Sequence, residues 1–147
     1  MTDRALAVDA WEALFRAQVV VMRELNAEFP DENMSLNEYD VLFNLSRQPD
    51  RRARIRDLNR MLFLTQPSVS RLLDRLVTRG FVTKSPDPKD GRGTIVALTD
   101  TGYERFRAAA AEHSASISAH LGNALDAGEL QRLRELCDKL RKSVEPN

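Results

Sequence analysis

Apolar residues recur at three- and four-residue spacings along most of the chain, and the places where that rhythm breaks mark its organisation. From about residue 6 to 29, Trp11, Leu14, Phe15, Gln18, Val21, Met22 and Leu25 share one face, which predicts an amphipathic helix stopped by Pro30. Ser35-Leu-Asn-Glu38 has the spacing of a capping box, with the serine receiving an early amide and the glutamate reaching back. A second helix is predicted there, burying Leu36, Tyr39, Leu42, Phe43 and Leu45. RQPDRRAR reads as a connector, and Ile55, Leu58, Met61 and Leu62 then predict a short third helix. Thr65 is placed to cap a fourth, with Pro67 in its first turn, where a missing amide costs nothing. In that helix Val69, Leu72, Leu73, Leu76 and Val77 form the inner stripe, and Gly80 suits a left-handed cap.

Beyond Gly80 the period changes. Phe81-Val-Thr-Lys-Ser-Pro86 and Thr94-Ile-Val-Ala-Leu98 predict two short strands around a polar tip, Asp87-Pro-Lys-Asp-Gly-Arg-Gly93, which together make a β-hairpin. Helical spacing returns with Tyr103, Phe106, Ala110, His113, Ile117 and His120 or Leu121. It continues in a last helix through Leu130, Leu133, Cys137, Leu140 and Val144, where Leu125 and Leu136 widen the stripe. The terminal helices offer more apolar surface than one small core needs, so a partner for that seam is expected. Helix, turn, helix and hairpin in this order predict a mainly α fold with a small β-hairpin wing, a winged helix-turn-helix.

Charge sharpens the picture. The 147 residues carry 22 basic and 22 acidic side chains, a net charge of zero that hides a strong gradient. Residues 1–50 sum to −6 and residues 93–147 to −1, while residues 51–92 hold nine Arg, two Lys and four Asp, a net +7. An arginine-rich excess in the segment that contains the fourth helix and the hairpin points to a phosphate-binding surface, against the plainer reading of solvated face residues. The outer face of the fourth helix carries Ser68, Ser70, Arg71, Asp74, Arg75 and Thr78, with Gln66 near its start, side chains suited to base edges and phosphates. Arg92 on the hairpin tip is suited to a minor groove, with Asp90 orienting its guanidinium. The alternative for these two is an ion pair that only stabilises the tip.

Other chemistry finds little support. Hydrophobic residues make up 42% of the chain, but no apolar run approaches the roughly 20 residues of a membrane span. MTDRALAVDAWEALF has acids early and no apolar block, so no secretory signal and a cytoplasmic location are expected. The lone cysteine, Cys137, excludes an internal disulfide. His113 and His120 stand seven residues apart, whereas ligands for one ion on a helix usually sit three or four apart, so no metal is expected. No nucleophile triad, phosphate loop or paired-carboxylate motif is present, so neither catalysis nor a cofactor is expected.

The string SVSRLLDRLVTRGFVTKSPDPKDGRGTIVALTDTG closely resembles the MarR (multiple antibiotic resistance regulator) family, and the resemblance extends over nearly the whole chain. Its most specific pieces are Leu76-Val-Thr-Arg-Gly80, Asp90-Gly-Arg92 and Leu98-Thr-Asp-Thr-Gly102. Asn59 stands where the family usually has alanine, and Leu62-Phe63-Leu64 replaces a glycine-containing turn, which reshapes the turn. The resemblance implies one MarR-type domain over 1–147, with a DNA-binding lobe over 35–99 and dimerisation helices over 1–30 and 100–147. A homodimer suits double-stranded DNA because recognition helices about 34 Å apart reach successive major grooves of a palindrome. The implied activity is transcription regulation, more often repression, tuned by a small aromatic or anionic effector. The expected DNA contacts are Thr65, Gln66, Ser68, Ser70, Arg71, Arg75, Arg79, Lys89 and Arg92, with Asp90 as wing support. Trp11, Phe15, Arg16, Tyr39 and His113 are the side chains considered for an effector pocket, but aromatics at helical spacing are more often core, and no ligand site is assigned. Oxidation-sensing relatives use a cysteine in the first helix, unlike Cys137. The alternative is a winged-helix module for protein interaction, which would carry apolar anchors where this fourth helix carries Ser, Gln, Thr and Arg.

Overall fold

A computed structural model describes residues 3–29, 33–62 and 66–145. Six helices, α1 (Arg4–Ala27), α2 (Leu36–Ser46), α3 (Ile55–Met61), α4 (Gln66–Thr78), α5 (Asp100–Ala124) and α6 (Ala127–Val144), accompany three strands, β1 (Arg52–Arg54), β2 (Val82–Asp87) and β3 (Asp90–Leu98). The chain divides into a central unit, residues 29–112, and a terminal unit, residues 1–28 with 113–147. Pro30, expected to stop the first helix, lies outside the described residues.

The core of the central unit follows the predicted stripes. Leu42 and Leu45 of α2, Leu58 of α3, Leu73 and Leu76 of α4 and Val96 of β3 are fully buried together. Around Tyr39 an aromatic cluster forms, with the Phe29 and Phe106 rings each 5.3 Å away. Two stripe members depart from expectation: Met61, at the end of α3, is 38% exposed, and Val77 is 39% exposed, because the inner face of α4 closes at Leu76. Gly80 ends the helix at φ +76°, the left-handed cap its sequence position suggested.

The capping box at α2 is only half made. The Ser35 hydroxyl accepts from the Glu38 amide at 3.1 Å, as a cap should. The Glu38 carboxylate does not turn back; Oε1 accepts from that same hydroxyl, and Oε2 pairs with Arg79 at 2.9 Å. A complete capping box stands instead at α6, where Asp126 and Glu129 satisfy each other's amides at 2.9 and 3.1 Å.

The segment read as a connector contains a short 3-10 turn (Pro49–Arg51) followed by β1, which pairs antiparallel with β3 through Arg52 with Ala97, Ala53 with Val96 and Arg54 with Ile95. The sheet order is therefore β1-β3-β2. Asp50 and Arg51 reach it through left-handed backbone at φ 57° and 54°, unusual for residues with a Cβ. Arg51 is held there by its guanidinium stacking 3.5 Å from the Tyr103 ring centroid.

Where β3 ends, Thr99 joins three elements. Its hydroxyl donates to the Gly80 carbonyl at 2.7 Å and accepts from the Gly102 amide at 3.0 Å, so it caps α5 and ties it to the end of α4. A Cβ on Gly102 would collide with the Phe81 carbonyl. Gly102→Ala is therefore expected to destabilise the chain by about 1–3 kcal/mol, the usual cost of overpacking, read as a lower urea midpoint. An unchanged midpoint would show that this junction yields without strain.

Candidate nucleic-acid interface

The inner stripe of α4 is buried, so its opposite face is turned to solvent, where Ser70, Arg71, Asp74, Arg75 and Thr78 are all exposed. Ser68 is half-buried and lies 3.4 Å from a guanidinium nitrogen of Arg71. Thr78 returns its hydroxyl to the Asp74 carbonyl at 3.0 Å. Thr65 and the Gln66 side chain lie outside the described residues.

The strands of the wing are longer than its sequence suggested. Asp87-Pro-Lys-Asp-Gly-Arg-Gly93 reads from the sequence as a polar tip between two short strands, but β2 runs up to Asp87 and β3 begins at Asp90, leaving only Pro88 and Lys89 as the turn. The reason lies in Asp87, whose side chain is 2% exposed although it sits near the tip. Its Oδ1 accepts from the Lys89 amide at 2.9 Å and its Oδ2 meets Arg54 Nε at 2.7 Å. The Lys89 amide, followed by the Arg54 guanidinium, holds this carboxyl below the usual carboxylate range against the opposing effect of burial.

Asp90 supports Arg92 by a different route from the one expected. Its Oδ1 accepts from the Arg92 backbone amide at 3.1 Å, so it shapes the strand and does not hold the guanidinium. The Arg92 and Lys89 side chains are exposed and, among the described residues, have no ion-pair partner.

Sorting the basic residues by partner divides the charged middle of the chain in two. Arg51 stacks on Tyr103, Arg54 pairs with Asp87, and Lys84 pairs with Asp74 at 2.6 Å. Arg79, expected among the DNA contacts, pairs with Glu38 at 2.9 Å and lies over the Phe81 ring at 4.8 Å. Its guanidinium therefore ties the end of α4 to α2, a partnership invisible locally because Glu38 lies 41 residues away. Arg56, Arg71, Arg75, Lys89 and Arg92 have no ion-pair partner among the described residues. Arg56, in the first turn of α3, was counted in the basic segment but not singled out; its exposure adds it to the free cations.

In the terminal unit, Trp11 and Phe15 are 57% and 49% exposed on α1 with ring centroids 6.1 Å apart. His120 Nε2 lies 2.9 Å from Glu28. His113 is buried, and burial pushes its imidazole below the ordinary histidine value. Tyr39, also considered for an effector, is buried in the aromatic cluster of the central unit. Cys137 is a free, half-buried thiol. Among the described residues no helix is long and apolar enough to cross a membrane.

A helix-turn-helix whose second helix shows a polar, cationic face, followed by a hairpin with a basic tip, defines the class of winged helix-turn-helix proteins. The MarR family model matches residues 32–93. An HTH-type transcriptional regulator of Mycobacterium leprae is 31% identical over 112 residues, which are 74% of this chain and 71% of that protein. YhbI, an HTH-type transcriptional regulator of Bacillus subtilis, is 27% identical over 99% of this chain and 95% of its own length. A MarR family transcriptional regulator from Streptomyces coelicolor, crystallised in complex with DNA, superposes with a TM-score of 0.82 at 25% identity, covering 100% of this chain and 92% of that one. The chain belongs to the MarR family of transcriptional regulators.

Proposed function

We propose that this protein is a sequence-specific DNA-binding regulator that acts in the cytoplasm as a homodimer on a palindromic operator. The observation that carries this reading is the exposed face of α4, where Arg71 and Arg75, like the exposed Arg92 on the wing, have no ion-pair partner among the described residues. Side chains with no role inside the fold are available for an external polyanion. In this reading α4 enters the major groove, with Ser68, Ser70, Arg71 and Arg75 at base edges and phosphates, and Thr65 and Gln66 at its leading end. Lys89 and Arg92 reach the neighbouring minor groove, where narrowing concentrates negative potential. Asp90 shapes the wing, and Arg79 is left out of the contact set.

The dimer reading is supported by apolar side chains that the single chain leaves uncovered. Trp11, Phe15 and Met22, which share one side of α1, are exposed at 57%, 49% and 43%, and Leu136, Leu140 and Val144 of α6 are also exposed. A face of that size on a water-borne protein calls for a partner, and a second copy would pair two α4 helices for a twofold site. Repression is the sign that the family favours. A small aromatic or anionic effector that shifts the dimer toward wrongly spaced helices would change operator affinity about 5–150-fold.

The test is selection of bound sequences from a random duplex pool at near-physiological salt. Enrichment of a palindrome with half-sites about one helical turn apart is expected. Recovery of no preferred sequence would sink the reading and favour a protein partner for the same face.

A further inference from the structure

The ion pair between Arg54 and Asp87 stands outside the contact set, yet it joins the two parts of the interface. Arg54 is the last residue of β1 and also the residue that precedes α3, where it takes the N-cap position of the first helix of the helix-turn-helix. Asp87 is the last residue of β2, directly before the wing turn. Their 2.7 Å contact therefore spans from the start of the helix-turn-helix to the end of the wing.

Three further features converge on the Asp87 carboxylate and its surroundings. Its other oxygen receives the Lys89 amide, so the same side chain that meets Arg54 also closes the turn carrying Lys89. Gly93 passes so close that a Cβ there would lie 3.2 Å from the Asp87 Cβ, which keeps the returning strand against it. Between these, Asp90 fixes the Arg92 amide. The register of β2 also shifts between Pro86 and Asp87, so the Asp87 side chain is presented by a local irregularity in the ladder and not by plain alternation.

We propose that Arg54 and Asp87 form a clamp that positions the wing tip relative to the helix-turn-helix, so that Lys89 and Arg92 meet DNA while α4 occupies its groove. This rests on the DNA-binding reading above. Without the clamp the wing must be ordered at the moment of binding, and part of its contact energy is lost to that ordering. Arg54 acts through Asp87 and is a positioning residue. Its side chain is still 34% exposed, and it borders an open groove of about 460 Å³ lined also by Arg52, Ser85 and Lys89, so a direct phosphate contact is the rival explanation.

Binding of the full-length chain to the selected duplex separates the two. Arg54→Met and Asp87→Asn are each expected to weaken binding about 2–30-fold, the range seen for residues that couple to a site without touching its ligand. The double variant should be no weaker than the weaker single one, and Arg54→Met should add nothing in a background that carries both Lys89→Ala and Arg92→Ala. Should Arg54→Met cost as much in that background, and lower the salt slope by about one, Arg54 touches phosphate itself and the clamp is refuted.

Amide hydrogen exchange of the free protein gives a readout that needs no DNA. Lys89 and Arg92 should exchange faster in both single variants, while the α4 amides keep their protection and show that the fold is intact. Unchanged exchange at the tip would overturn the clamp even if affinity fell. A wild-type chain that binds no duplex would sink the DNA-binding reading instead, and exchange at Lys89 and Arg92 would still decide whether the pair holds the tip.

Discussion

Replacing Arg71 by alanine is expected to weaken binding to the selected operator about 5–150-fold, the equivalent of about 1–3 kcal/mol for an arginine that reads a base edge. Arg71 is singled out because α4 turns it to solvent and, among the described residues, its guanidinium has no ion-pair partner and makes one long contact, to the Ser68 hydroxyl at 3.4 Å. It is thus free to meet a guanine edge without breaking anything in the fold. Binding curves at several salt concentrations distinguish what it touches. A base contact would relax preference at one operator position, whereas a phosphate contact would weaken all sequences alike and reduce the salt slope by about one. Arg134→Ala, on α6, is the control of equal charge and should leave affinity near wild type. If Arg71→Ala leaves both affinity and preference untouched, α4 is not the reading helix.

The second large effect concerns stability. Leu73 has no exposed surface and lies at the centre of the stripe that seats α4 on α2 and β2. Leu73→Ala removes that packing and leaves a cavity, for an expected loss of about 2–5 kcal/mol. Because a domain has only about 5–15 kcal/mol of net stability, urea unfolding should show a much lower midpoint. Val77→Ala, one turn further along and 39% exposed, should cost far less. Equal losses at the two positions would mean that the face of α4 assigned to the core is wrong. DNA affinity of Leu73→Ala, measured where it remains folded, should fall less than that of Arg71→Ala, since the outer face keeps its chemistry.

The lobe shows why some features were legible locally and others were not. Helix α4 could be read because its inner residues, its proline and its Gly80 act within a turn or two of one another, where three-residue and four-residue spacing is the relevant geometry. The two strands of the wing were legible for the same reason, as neighbours joined by a turn. Strand β1 was not, because three residues rich in arginine have no strand signal of their own and become a strand only by pairing with Ile95–Ala97, about forty residues later. The strands reach further into the wing tip than its Pro, Asp and Gly residues suggest, since such residues usually mark turns and the carboxylate at this one is met by an arginine from β1.

The candidate contacts follow the same division. Ser70, Arg71, Arg75 and Arg92 could be proposed from helical phase and position alone, and the structure leaves them exposed. Arg79 shares their charge but not their surroundings, since its guanidinium pairs with Glu38 and lies over the Phe81 ring. Glu38 was assigned to its own helix cap, the strongest local partner in the sequence, and was drawn instead to a cation brought near by packing.

The amino-acid sequence by itself determined the family, the order of helices and hairpin, and the basic middle of the chain, because periodicity, turn residues and charge density are properties of neighbours. Only the tertiary structure decided which of those cations are free. The ion pairs of Arg54 with Asp87, Arg79 with Glu38 and Lys84 with Asp74 join elements that meet only after the core has closed, and attraction between charges depends on distance in space, not along the chain.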